Sequence, residues 1–174
     1  MAVVTVKSAS ITKLDASPRE ATQAGIGAGY RVKEIDDFVT VTNGDSIGSK
    51  YIVSRIPSTV RVKDLWLENA AIATAIADIG VYYASRTEDV GAGVVAGAVI
   101  DADFFGTVVS LVAAAGPTNV LNESGTYPPA NRGKPIWEAL GLTADPGGKF
   151  DIVLTLTAAA TATGNVYTKL GYVE

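Results

Sequence analysis

The sequence contains no histidine and no cysteine among its 174 residues. Their absence excludes a Ser-His-Asp triad, a cysteine nucleophile, metal sites built from thiolate or imidazole ligands, and every disulfide bond. Acid–base chemistry would therefore have to use carboxylates, lysine or tyrosine. Because cysteine is absent, the sequence carries no sign of the redox compartment in which the protein works. We predict no cofactor, no metal site and no catalytic residue.

Charged residues and long apolar runs are also scarce. Lys, Arg, Asp and Glu make up 18% of the chain, the net charge is −4, and the basic residues are scattered. This pattern indicates neither nucleic acid nor a membrane surface as a partner. The longest apolar run, residues 91–100, is too short to cross a bilayer. The first residues, MAVVTVKSASITKL, lack the basic and apolar regions of a secretory signal.

Hydrophobic residues are abundant by comparison, at 48% of the chain, which is enough for a substantial core. The length is typical of one domain with an appendage. Residues 1–33 are small and polar, contain Pro18 and show no sustained periodicity, although Val3, Val4 and Val6 suit a short strand. We predict an extended N-terminal arm over residues 1–33 and a folded domain over residues 34–174.

The arm contains the segment QAGIGAGYR, with glycine at positions 25, 27 and 29. A dinucleotide-binding loop needs G-x-G-x-x-G between a strand and a helix, and a Walker loop needs Gly-Lys followed by Ser or Thr. The segment has neither pattern, so we interpret it as a flexible joint that becomes ordered against a partner.

From residue 34 onward the chain alternates apolar and polar residues, as strands with one buried face do. The alternation recurs in EIDDFVTVT, SKYIVSRIP, VRVKDLWLEN, ADIGVYYAS, KFDIVLTLT and GNVYTKLGYV. In SKYIVSRIP it predicts that Tyr51, Val53 and Arg55 share one face. In VRVKDLWLEN the apolar parity changes between Val62 and Leu65, which predicts a β-bulge.

Turn signals separate these segments, with Asn-Gly-Asp at residues 43–45 and Thr-Gly-Asn at residues 163–165. We interpret residues 70–77 as a loop, and KPIWEALGL as one or two helical turns between Pro135 and Gly141. Many short strands with little helix predict an all-β fold, an antiparallel β-sandwich. The longer connections favour a jelly roll.

Two carboxylates, Asp101 and Asp103, would share one face of a strand and are the most obvious candidate for a cation site. A calcium loop needs further oxygen ligands in a fixed run, and these are missing. We therefore favour a solvated turn before Phe104. An enzyme would need a pair such as Asp101 with Glu123, brought together across the fold.

Three aromatic residues are candidates for a core or a contact surface. Trp66 lies in a strongly apolar strand, so we expect it in the core. Trp137 is expected to cap the sandwich or to meet a neighbouring molecule. Tyr127 precedes two prolines and is expected in a rigid exposed segment. An exposed Trp137 or Tyr127 would also suit a carbohydrate-binding or adhesin module.

Six segments taken together resemble small virion structural proteins of tailed bacteriophages, in particular head decoration or cement proteins with a jelly-roll-type sandwich. The resemblance covers residues from about 40 to 173 and the first residues, MAVVTVKS. The segments are, in order, VTNGDSIGSKYIVSRIPSTVRVKDLWLE, ADIGVYY, VIDADFFGTVVSL, NESGTY, KPIWEALGL and ADPGGKFDIVLTLTAAATATGNVYTKLGYV.

The resemblance implies a protein without catalytic residues, synthesised in the bacterial cytoplasm and assembled into the virion. It would bind the outside of the shell of major capsid protein in many copies and stabilise the head by bridging capsomers, as a dimer or trimer. The alternatives are a carbohydrate-binding or adhesin module of a phage fibre, another head–tail component, or an enzyme.

A decoration protein with an extended arm would use that arm to lie along a neighbour. The apolar residues of the arm and the aromatic residues of the loops are therefore the predicted partner contacts. They are Val3, Val4, Ile11, Leu14, Tyr30, Tyr127 and Trp137.

Overall fold

The computed structural model describes residues 3–17 and 32–174. These residues form nine strands and two short α-helices. The elements are, in chain order, β1 (Thr5–Lys7), α1 (Ala9–Asp15), β2 (Lys33–Val41), β3 (Lys50–Pro57), β4 (Arg61–Asn69), β5 (Ile76–Tyr83), β6 (Val99–Ser110), β7 (Ala115–Asn119), α2 (Ile136–Ala139), β8 (Lys149–Ala158) and β9 (Gly164–Val173).

The strands form two sheets that pack face to face. One sheet has the order β1-β3-β8-β5-β6 and the other has the order β2-β9-β4-β7. Apart from β1, the described residues form eight strands, β2 to β9. The antiparallel pairs β2–β9, β3–β8, β4–β7 and β5–β6 join the first of these eight to the last, the second to the next-to-last, and so on inward. This order is that of a long hairpin wrapped into two sheets, which is the jelly roll. The predicted all-β sandwich is confirmed.

The two sheets differ in how they cover their outer faces. In β9, buried Val166, Thr168 and Leu170 alternate with exposed Tyr167 and Lys169, so one face of the strand meets the core and the other meets solvent. In β8, both parities are buried along most of the strand. The five-stranded sheet is therefore covered on both faces, whereas the four-stranded sheet exposes its outer face.

The cover on the five-stranded sheet comes from the N-terminal residues. β1 pairs in parallel with β3, where Thr5 lies opposite Lys50. Ser8 then caps α1, because its hydroxyl accepts a hydrogen bond from the backbone N–H of Ile11 at 3.3 Å. An extended conformation was expected here, and it is wrong for Ala9–Asp15. Residues 18–31 of the predicted arm, with the three glycines and Tyr30, lie outside the described residues.

The helix is held because its apolar side chains find a second, smaller core. Ile11 is 1% exposed and packs with Ile52, Tyr82 and Val153 on the outer face of the five-stranded sheet, and half-buried Leu14 packs against the same group. Full burial of an isoleucine side chain is worth about 1.5–3 kcal/mol, which offsets part of the cost of ordering this segment.

Register shifts occur at two β-bulges that affect the candidate sites. The bulge predicted in β4 is confirmed by the register shift between Val62 and Asp64. A second shift, between Ile52 and Ser54 of β3, was not predicted. Because of it, Val53 faces the main core while Arg55 faces the opposite side, toward α1. The expectation that Arg55 shares a face with Val53 is therefore wrong.

Tyr127 is fully buried, so the expectation of an exposed contact residue is wrong. Its ring lies 5.3 Å from that of Phe104 and 5.4 Å from that of Phe105, between centroids. Its hydroxyl donates to the backbone carbonyl of Val62 at 3.0 Å, which satisfies the polar end of the side chain. Burial raises the pKa of Tyr127 to about 12.

Of the remaining local predictions, some are confirmed and one is wrong. The helical turn at Ile136–Ala139 is confirmed. The loop predicted over residues 70–77 is confirmed for residues 70–75, whereas residues 76 and 77 belong to β5. The predicted turn before Phe104 is wrong, because Asp101 and Asp103 lie within the long strand β6. In the described part of the chain, no helix has the length and apolar character needed to cross a membrane.

Candidate functional site

Three exposed aromatic rings lie on the outer face of the four-stranded sheet. Phe38 and Tyr167 are each 45% exposed and Trp66 is 37% exposed. They come from β2, β9 and β4, and strand alternation directs all three away from the core. We call the outward-facing side of these three strands the aromatic face. Contiguous exposed apolar patches often mark interaction surfaces, whereas single exposed apolar residues do not.

The strand register places the rings side by side. Phe38 pairs with Tyr167, and their ring centroids lie 5.6 Å apart. In the next row, Asp36 pairs with Lys169, and Lys169 pairs with Trp66. Together with β7 these rows enclose an open groove of about 690 Å³. The groove is lined by Asp36, Asp37, Phe38, Trp66, Leu67, Glu68, Pro117, Tyr167, Thr168 and Lys169.

Trp66 does not lie in the core, and that expectation is wrong. After the bulge in β4, Leu65 and Leu67 face inward and are buried, which turns Trp66 outward with Glu68. The sequence indicated this outward orientation, because the charged residues Asp64 and Glu68 share the parity of Trp66. Phe38 and Tyr167 carry a similar signal, because each is the aromatic member of an otherwise polar parity in its strand.

The groove of the aromatic face is acidic. The described residues that line it include three carboxylates, from Asp36, Asp37 and Glu68, and one ammonium group, from Lys169. Lys169 forms an ion pair with Glu34 at 3.1 Å. The hydrogen bond and charge of Glu34 raise the pKa of Lys169 above its usual value. The formal charge of this lining, three negative charges against one positive, is −2.

Asp64 occupies a specific place at one end of this face. It pairs with Gly171, and a Cβ on that glycine would lie 2.6 Å from Asp64 Oδ2, so the carboxylate lies where a side chain would otherwise be. The Oδ1 atom of Asp64 is buried and has no hydrogen-bond partner among the described residues. Buried polar atoms are usually paired, so this oxygen is a point of unmet hydrogen-bonding capacity.

The opposite side of the sandwich carries a different polar cluster, centred on the fully buried side chain of Arg55. Its guanidinium donates to Asp151 at 2.6 and 3.1 Å, to Asp15 at 2.6 Å and to Asp89 at 3.0 Å. It also donates to the hydroxyl of Ser85 at 2.8 Å. The cluster therefore joins β3, β8, the end of α1 and the turn after β5.

Two lysines complete the charge balance of this cluster. Lys7 pairs with Asp15 at 2.6 Å and Lys149 pairs with Asp89 at 3.1 Å, so that three cations face three carboxylates. Burial alone would raise the pKa of Asp15, but the hydrogen bonds and charges of Lys7 and Arg55 lower it overall. A cluster whose charges are this fully paired is structural, and it fixes α1 to the sheet.

The predicted contact residues do not gather on one surface. Val3 is exposed beside the sheet edge, and the carbonyl of Val4 accepts from the backbone N–H of Lys50 at 2.9 Å. Ile11 and Leu14 pack on their own chain. Trp137 is half-buried against the main core, as expected for a residue that caps the sandwich.

The paired carboxylates of β6 form no metal site with a third ligand. Burial, together with a hydrogen bond and the charge of Asp103, raises the pKa of Asp101 above its usual value. Within residues 3–17 and 32–174, no group of three or more acidic ligands is placed to hold a metal ion. Asp101 and Glu123 do not line the groove of the aromatic face.

Comparison with known proteins identifies the fold. No protein-family model and no curated protein matches the chain. Among solved structures, the chain is similar to a chain of the capsid of Ralstonia phage GP4, with a TM-score of 0.60 and 13% identity, over 98% of this chain and 98% of that chain. It is also similar to a chain of the cyanophage Pam1 capsid asymmetric unit, with a TM-score of 0.51 and 16% identity, over 91% of this chain and 96% of that chain. The fold is shared with chains of two phage capsids.

Proposed function

We propose that this chain is a structural protein of a tailed-phage virion, and more specifically a capsid decoration protein. In this role it binds the outer surface of the shell of major capsid protein and stabilises the head by bridging capsomers. The observation that carries the proposal is the end-to-end likeness to chains of two phage capsids, which covers 91% or more of each chain. A likeness of that extent concerns the whole jelly roll and not a shared substructure.

The surface of the molecule supports a binding role. The aromatic face presents three large rings to solvent, whereas most apolar side chains of the four-stranded sheet face the core. A monomer gains nothing by exposing such rings, and interfaces are enriched in Trp, Tyr and Phe. We therefore assign the main partner contact to the aromatic face, with exposed Val3 as a further contact beside β1.

Bridging does not require a tight single contact. A dimer or trimer that binds at several points of a symmetric shell gains affinity through effective concentration, so that each contact can be modest. Separating two capsomers would then require breaking the contacts of the bridging protein as well. This accounts for stabilisation without any chemical reaction.

The carbohydrate-binding alternative loses the residues on which it depended. Tyr127 is fully buried and Trp137 packs against the core, so neither ring offers a flat exposed platform. The exposed rings belong to the aromatic face. A direct sugar titration can test whether these rings bind a glycan.

The proposal is tested with shells of the cognate major capsid protein assembled without this chain. We expect the purified protein to co-sediment with these shells, to reach saturation at a fixed ratio to capsid subunits, and to raise the temperature at which the shells come apart. Electron microscopy of saturated shells should show added density on the outer surface. Shells without the protein give the baseline. Failure to co-sediment at any protein concentration, or density confined to one vertex, would contradict a decoration role.

A further inference from the structure

We propose that the aromatic face binds a cationic segment of a protein partner, in which an arginine or lysine side chain lies among Phe38, Trp66 and Tyr167. The inference deepens the proposed function, since it rests on that function for the identity of the partner as capsid protein. What it adds is the chemistry of the contact, and three features of the face support it.

The first feature is charge. Among the described residues that line the groove, the one ammonium group, from Lys169, is already paired with Glu34 at 3.1 Å. In the described part of the chain, no cation lies within ion-pair distance of Asp36 or Glu68. These two carboxylates therefore border the groove without an ion pair. A partner that supplies positive charge gains from both.

The second feature is the arrangement of the rings. Phe38 and Tyr167 are tilted 37° to each other at a centroid distance of 5.6 Å, and Trp66 lies in the adjacent row of the same groove. The faces of aromatic rings attract cations, and Arg guanidinium groups stack on them. Rings combined with nearby carboxylates make a stronger site for a guanidinium than either group alone.

The third feature disfavours the simplest competing occupant, a second copy of the same face. Two copies meeting face to face would each bring a groove lining with a formal charge of −2, from three carboxylates and one ammonium group. Like charges brought together in an interface are strongly unfavourable. An acidic partner and nucleic acid are excluded for the same reason, whereas a basic surface is favoured.

The main test uses shell binding with charge-reversed variants. We expect Asp36→Lys with Glu68→Lys to weaken binding about tenfold or more, and Trp66→Ala to weaken it about tenfold. Glu138→Lys, a single charge reversal at an exposed residue of α2 away from the face, should change binding less than about twofold. Wild-type binding should also weaken as salt rises from about 0.05 to 0.5 M, and the reversed variant should lose that dependence.

A second measurement needs no capsid. In a Trp137→Phe background, Trp66 is the remaining tryptophan, so its fluorescence reports on the aromatic face. We expect titration with the peptide Arg-Gly-Arg-Gly-Arg to change the Trp66 fluorescence until it saturates. The double variant Asp36→Asn with Glu68→Gln should bind the peptide at least about fivefold more weakly. Galactose and maltohexaose should give no change.

The outcomes separate the inference from the proposed function. Shells that bind the wild type and the face variants equally overturn the inference and leave the decoration role standing. A wild type that ignores shells but binds the arginine peptide through Trp66 overturns the decoration role alone. Saturable binding of either sugar at Trp66 identifies a glycan platform and overturns the inference, as does a dimer in sedimentation that Trp66→Ala dissociates.

Discussion

The guanidinium of Arg55 holds the carboxylate of Asp151 by two hydrogen bonds, from Nε at 2.6 Å and from Nη2 at 3.1 Å. The two residues lie opposite each other on neighbouring strands, and both face away from the main core. The remaining nitrogen of the guanidinium reaches Asp15 at the end of α1 and Asp89 in the turn after β5. One buried cation therefore determines where the N-terminal helix lies on the sandwich.

Replacing this cation should cost more stability than replacing any exposed one. We expect Arg55→Ala to lower the free energy of unfolding by about 3–5 kcal/mol, because three carboxylates would remain close together with their main counter-charge removed. Urea unfolding measures the difference. The matched control is Arg61→Ala, which removes a surface arginine that donates to the carbonyl of Gly133 at 2.8 Å and should cost less than about 1 kcal/mol. Equal losses in the two variants would contradict a structural role for the cluster.

The helix that this cluster holds should also contribute through its apolar contacts. We expect Ile11→Ala to cost about 2–4 kcal/mol, because the side chain is buried against Ile52, Tyr82 and Val153. Leu14→Ala, at a half-buried position on the same helix, should cost less. Thermal or urea unfolding checks both. If Ile11→Ala leaves stability unchanged but weakens shell binding, the helix acts as a partner contact, as the sequence had predicted.

The strands of this fold could be predicted because each buried face leaves an alternating apolar pattern in the sequence. The β4 bulge was predictable for the same reason, since it shifts the parity of Val62 against Leu65. The bulge in β3 could not be predicted, because Ile52, Val53 and Ile56 are apolar on both sides of it. An apolar outer face covered by α1 removes the alternation that would have revealed the shift.

The candidate site was harder to predict, for two physical reasons. Trp66 is flanked by two buried leucines, so a simple count of apolar residues assigns it to the core, although Asp64 and Glu68 share its parity. α1 has only seven residues, and a helix that short leaves too few turns for a recognisable apolar stripe. Its stability depends on the sheet beneath it and not on its own sequence.

Acid should release the N-terminal helix before it unfolds the sandwich. The pKa of Asp15 is lowered in the folded state, so its contribution to stability is fully present above the unfolded value of 3.8 and is lost as the pH falls through the folded value. We expect the protection factors of the α1 amides to fall below about pH 4, while β8 stays protected. In Asp15→Asn this acid-dependent loss of protection should be smaller. Protection of α1 that does not change between pH 6 and pH 3 would contradict the prediction.

The hydroxyl of Tyr127 should stabilise the end of the sandwich through one hydrogen bond. We expect Tyr127→Phe to cost about 1–2 kcal/mol, because it leaves the buried carbonyl of Val62 without this donor. Tyr167→Phe removes the same atom from a ring that is 45% exposed, and it should change stability by less than about 0.5 kcal/mol. Chemical unfolding of the two variants side by side makes the comparison. A larger loss for Tyr167→Phe would show that the hydrogen-bond assignment is wrong.

The carboxylate pair of β6 should show the opposite pH dependence to Asp15. Burial and Asp103 raise the pKa of Asp101, so its folded form holds a proton more tightly than the unfolded chain does, and stability falls as the pH rises through the folded value. Asp101→Asn removes the repulsion and keeps an oxygen to accept from the backbone N–H of Asp103, which lies 3.2 Å from Asp101 Oδ1. We therefore expect this variant to be more stable than the wild type at pH 7, by up to about 1 kcal/mol, with the advantage disappearing near pH 3. Urea unfolding at the two pH values measures it, and a variant that is less stable at pH 7 would show that the Asp101 carboxylate is favourable where it lies.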